Sequence, residues 1–67
     1  MLKQRQPRVG DHYKTVMADY LILAVDRRGL SPRVTMLRFS SVRRTTIRWN
    51  NFLRNYGAVF VQTLIKR

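Results

Sequence analysis

Hydrophobic and polar positions alternate along much of this chain, most clearly from Val42 to Trp49. There Arg43, Thr45, Ile47 and Trp49 fall on one side of an extended backbone, and Arg44, Thr46 and Arg48 on the other. Successive strand side chains point to opposite faces, so this is a strand with one greasy and one basic face. At Trp49 the period changes. Trp49, Phe52, Leu53 and Tyr56 stand at i, i+3, i+4 and i+7, which is one stripe of a helix. Asn50 or Asn51 is placed to cap that helix, and Gly57 to end it in the left-handed conformation. A longer helix over 47–56 capped by Thr46 is the competing reading. Two asparagines in its middle disfavour it.

The same patterning divides the rest of the chain. Residues 1–8 read as a flexible basic arm carrying Lys3, Arg5 and Arg8. Residues 9–67 then form one domain. Val9 to Val16 is a possible first strand, opened by the Gly10-Asp11 turn signal. Tyr20 to Val25 is a short apolar run, bounded by polar residues, and reads as a strand that is central or covered on both faces. Asp26 to Arg33 is a loop punctuated by Gly29 and Ser31-Pro32. Val34 to Phe39 is a strand, Ser40-Ser41 a tight turn, and Val42 to Trp49 pairs back as an antiparallel hairpin. Ala58 to Ile65 is a last strand that closes the sheet.

These elements predict a mostly β protein, five short strands with one helical turn before the last. Composition agrees: the chain has no Glu, while Val, Ile and Thr supply fifteen residues. A five-stranded sheet on 67 residues removes its edges by curling into a small barrel, SH3-like or of the Tudor/KOW type. A chain this short buries only about 60% of its unfolded surface, so the core is marginal. With no Cys and a single His, neither disulfides nor a zinc site of the usual kind can reinforce it. Homo-oligomerisation or a bound partner remains available.

The order of the G-x-x-aromatic opening and the later "gRxTxIxxxxF…Y.lv" segment resembles small bacterial and phage SH3-type domains. The match runs through Val9, Gly10 and Tyr13, then Arg44, Thr46, Ile47, Phe52, Tyr56 and Val59. It covers about residues 9–61. The resemblance implies a barrel and carries no catalytic residue with it. The chain departs from the pattern in its long basic loop 26–33 and in its C-terminal extension.

Charge changes the picture most. Fourteen Lys+Arg face three acids, a formal net charge of +11, and eleven of the fourteen are Arg. Arg presents a rigid fork of donors that matches phosphate. A domain with this charge repels itself, and a polyanion relieves the repulsion. The basic residues expected at a nucleic-acid interface are Arg27, Arg28 and Arg33 on the loop, Arg38 on one hairpin strand, and Arg43, Arg44 and Arg48 on the other. Tyr13 or Trp49, where exposed, would stack bases; where buried, they are core. Five or six such phosphate contacts predict a log–log salt slope near −5 on duplex DNA.

Enzyme chemistry lacks its parts. The acids are scattered, His12 has no companion constellation, and Ser31, Ser40 and Ser41 sit in turns. No cofactor or metal is expected. The longest apolar run, Tyr20 to Val25, is far short of the roughly 20 residues of a spanning helix, and no apolar core follows the basic start. The expectation is a non-membrane, cytoplasmic protein that binds DNA or RNA. The alternative is a phage-type effector that grips an acidic surface of a host protein or ribonucleoprotein.

Overall fold

The computed structural model describes residues 6–64. Five strands appear in chain order: β1 (Asp11–Lys14), β2 (Asp19–Asp26), β3 (Arg33–Arg38), β4 (Arg43–Arg48) and β5 (Val59–Thr63), with one helix, α1 (Trp49–Asn55), between the last two. All pairings are antiparallel, and the strands form one sheet in the order β4-β3-β2-β1-β5. The five strands and the helical turn stand where the pattern places them; β1, β4 and β5 are shorter than expected, β2 is longer by one residue at each end, β3 is displaced by one residue, and α1 starts at Trp49.

The inner face of the sheet and the helix share one core. Tyr13, Tyr20, Ile22, Val34, Met36, Trp49 and Phe52 are buried, and Val25, Ile47, Leu53, Tyr56 and Phe60 pack against them. Aromatic edges meet aromatic faces through this core: Tyr13 lies 5.1 Å from Trp49 at 86°, and Tyr20 lies 5.5 Å from Phe52 at 84°. Such geometry adds about 0.5–1.5 kcal/mol per pair beyond simple burial.

Several expectations change on physical grounds. The run from Tyr20 to Val25 is the central strand of the sheet, as expected, but it is not covered on both faces: Ala24 is exposed and Leu21 and Leu23 are half-buried. A register shift against β3 between Ile22 and Ala24 explains the pattern instead. The extra residue flips the alternation, so Tyr20 and Ile22 face the core before it and Val25 after it. The last strand does not close the sheet. β5 pairs with β1 and is an edge, as β4 is at the other end. The first strand is only Asp11–Lys14, because Thr15 already belongs to the turn. Its hydroxyl donates to the Ala18 carbonyl at 2.9 Å and accepts from the Met17 and Ala18 amides.

Neither Asn50 nor Asn51 caps α1. Its N-cap is Arg48, extended at φ −72° and ψ 142°, with no side-chain cap bond. The helix starts early because Trp49 is buried and its amide donates to the Pro32 carbonyl at 2.8 Å. The asparagines therefore lie inside the helix, where Asn55 donates to Asn51 one turn back. Gly57 ends the helix at φ +63°, as expected.

The hairpin joining β3 to β4 is also wider than a two-residue turn. Residues 39–42 connect the strands, and the Val42 amide closes the loop on the Arg38 carbonyl at 2.8 Å. Val42 pays for that closure with φ +51°, a conformation that disfavours a β-branched side chain by roughly 1–2 kcal/mol. It is exposed, so its side chain contributes little in return. Val42→Asn, which tolerates this region, is expected to raise the melting temperature by about 4–8 °C, as about 1 kcal/mol does in a domain of this size. A thermal melt followed by circular dichroism checks it.

Residues 1–5 of the expected arm lie outside the described residues. The rest of it is anchored: Pro7 is buried, and its carbonyl accepts from Arg27 at 2.8 Å.

Candidate nucleic-acid interface

Directly opposed residues of an antiparallel pair share a face. Across β3 and β4 the outward pairs are Arg33 with Arg48, Thr35 with Thr46, and Leu37 with Arg44. The core-side pairs are Val34 with Ile47, Met36 with Thr45, and Arg38 with Arg43. The outer face therefore carries Arg33, Arg44 and Arg48, with Thr35 and Thr46 between them sharing a hydroxyl bond at 3.0 Å. Arg44 and Arg48 stand four residues apart, about 13 Å along the strand. β4 forms as an edge strand because Thr and Ile suit a pleated surface, while its arginines keep the open edge from pairing with other chains.

The seven arginines expected at the site do not form one face. Arg33, Arg44 and Arg48 do. Arg28 joins them from the loop, but it is engaged: its Nε and Nη2 donate to the two carboxylate oxygens of Asp26 at 3.0 and 2.9 Å. Arg27 is tied to Pro7. Arg38 and Arg43 lie on the opposite face at the far end of the hairpin, with Arg38 donating to Ser40 at 3.2 Å. The grouping follows from parity along the strands, which a list of basic residues ignores.

Tyr13 and Trp49 are 2% and 3% exposed, so neither ring can stack on a ligand. Phe39 has more open surface and was not singled out by sequence pattern. Its ring stacks on His12 at 5.1 Å and 22°. His12 in turn meets Asp19 through Nε2 at 3.0 Å. The signal for Phe39 was its parity with Arg33, Thr35 and Leu37 on the outward side of β3.

The row that begins with Arg33 and Arg48 continues to Asp26 on β2. A concavity of about 500 Å³ opens there, lined by Asp26, Arg28, Ser31, Arg33 and Arg48 with Gly29 and Leu30. Like charges directly opposed across strands destabilise a sheet, and Arg33 faces Arg48 without a carboxylate between them. The Arg28 hydrogen bonds beside it hold the Asp26 carboxyl down to about 2, and Arg28 is correspondingly raised. Because the folded value lies below the ordinary 3.8, this pair contributes above about pH 4 and is lost as pH falls through about 2. The expected result is an Asp26 carboxyl titration by NMR with a midpoint near 2, moving back toward 3.8 in Arg28→Ala. Added salt should shrink the shift, since both groups face solvent.

The described residues contain no cluster of three or more His, Cys, Asp or Glu able to hold a metal ion. Among them, no helix is long and apolar enough to cross a membrane. Comparison with protein-family models, with curated proteins and with solved structures finds no match.

Proposed function

We propose that this chain is an SH3-like barrel serving as a cytoplasmic, non-enzymatic nucleic-acid-binding module, with the outer face of β3 and β4 as its phosphate-contacting surface. The observation that carries the reading is charge placement. Arg33, Arg44 and Arg48 share one sheet face. The chain's three acids offer them little relief: Asp26 is held by Arg28, Asp19 meets His12, and Asp11 is buried with Thr63 donating to it. Arginines on a β-ribbon can track phosphates or lie in a groove, and Phe39, part-exposed just past the end of β3, offers a ring to an unpaired base. The strand order, the helix before the last strand and the extra residues in β5 against β1 and in β2 against β3, which add local twist and bend, support the barrel.

A second reading has its own observation. Among the described residues β5 pairs on one side only, with β1, and it carries Val59 and Val61 at 65% and 45% exposure, with no charge on the strand. That edge suits a protein partner, an acidic host protein among them. A pull-down with and without nuclease separates the two. Loss of every partner after nuclease treatment supports nucleic acid. Retention of one acidic protein would sink it.

A further inference from the structure

The concavity beside Asp26 is more than the end of a basic stripe. Three guanidinium groups, Arg28, Arg33 and Arg48, and one carboxylate, Asp26, line it. Their formal sum is +2 (three minus one). An internal phosphodiester carries one negative charge, whereas a phosphomonoester carries about −1.5 to −2 near neutral pH. The site is thus charge-matched to a monoester. Asp26 does not repel such a group as a bare carboxylate would, because both its oxygens already accept from Arg28. The same bonds fix the Arg28 plane and leave its remaining donors for another oxyanion.

A second observation points the same way. Ser31 lines this concavity, and its Oγ is buried with no hydrogen-bond partner among the described residues. Buried hydroxyls nearly always have a partner, so this one marks a donor without its acceptor. The surroundings also limit what the phosphate belongs to. Residues 28–31 of the loop line the cavity together with Arg33 and with Arg48 at the end of β4, so a nucleic-acid strand tracked from Arg44 to Arg48 arrives at it. Leu30 on that loop is fully exposed and offers apolar surface to a terminal sugar or base.

We infer that this pocket takes the terminal phosphomonoester of a nucleic-acid strand, with Arg33 and Arg48 as direct ligands, Arg28 held in place by Asp26, and Ser31 as a hydroxyl donor. The inference rests on the proposed nucleic-acid function and adds a preference for strand ends to it.

The test is fluorescence anisotropy on one labelled single-stranded 12-mer prepared with a 5′-phosphate, with a 3′-phosphate, or with hydroxyls at both ends. One phosphorylated form should bind about tenfold more tightly than the hydroxyl form, the size of one good charge-assisted contact set. That ratio should fall toward one in Ser31→Ala and in Arg28→Ala, both in the loop between β2 and β3 and checked for folding by circular dichroism. Equal, salt-dependent binding of all three strands would overturn the terminal site while leaving the nucleic-acid reading intact. Absence of binding to any strand at low salt would overturn both. A phosphoserine peptide binding as tightly as the phosphorylated strand would move the pocket to a protein partner. Inorganic phosphate abolishing the end preference at concentrations near the strand's own Kd would assign it to free phosphate.

Discussion

Replacing Arg33, Arg44 and Arg48 together by Ala should weaken nucleic-acid binding by about 100-fold at moderate salt. The figure follows from roughly 1 kcal/mol for each of three exposed ion contacts, about 3 kcal/mol in all. The same triple substitution should flatten the salt dependence by about 3 in log–log slope, because each duplex phosphate released contributes about 0.9. Folding should not suffer. Arg33 and Arg48 repel across the strands while Arg33 also faces Asp26 on its other side, so the two effects offset and their loss is close to neutral. The control is Arg38 and Arg43 together by Ala. These two remove two positive charges against three and lie on the same strands, but they project to the other face, so the comparison is made per charge removed. The account expects the control to change affinity less than about threefold. Equal losses per charge in the two variants would mean that net charge, not the outer face, governs binding.

Phe52→Ala should unfold most of the protein at room temperature. Phe52 is fully buried and its ring meets Tyr13, Tyr20, Trp49 and Tyr56 at centroid distances of 5.5 to 5.8 Å. Removing a buried Phe costs about 3–5 kcal/mol. At roughly 0.05–0.15 kcal/mol per residue, a domain this small has about 3–10 kcal/mol in total. The loss is therefore comparable to the whole stability, with no disulfide to offset it. Urea unfolding at 25 °C measures the effect. A variant that keeps most of its wild-type midpoint would show that α1 is an accessory to the core and not its lid.

The stretch from Val42 to Tyr56 was the most legible part of the chain, and it shows where sequence reading stops. Its change of period at Trp49 marks the junction of β4 and α1 correctly. Gly57 ends the helix as its conformational freedom suggests. The cap was misplaced because the start of α1 is decided by a tertiary bond, from Trp49 to Pro32, which no local propensity encodes. Of the two readings of β2, a central strand or one covered on both faces, the first holds and the second fails for a related reason. A bulge and a doubly buried strand give the same unbroken apolar run, and only the register against β3 separates them.

The candidate site was legible as a composition and not as a place. All seven arginines were visible in the sequence, and parity along β4 already separated Arg44 and Arg48 from Arg43. What parity on one strand could not supply was the cross-strand pairing that adds Arg33 to them. Nor could it show that Arg28 is held by Asp26 or that Arg27 is tied back to Pro7. Ser31 read as a plain turn residue, because the lack of a partner for its hydroxyl exists only once the loop is folded.

The most direct measurement of the central claim is the salt dependence of binding by the unmodified protein, taken on duplex and single-stranded oligonucleotides from low to physiological salt. Three phosphate contacts through the outer face predict a log–log slope near −3 on duplex DNA and nearer −2 on single strands. A slope close to −5 would add contacts from beyond that face to the same function. A slope near zero on every nucleic acid would contradict the account, since no phosphate-reading surface could then be at work.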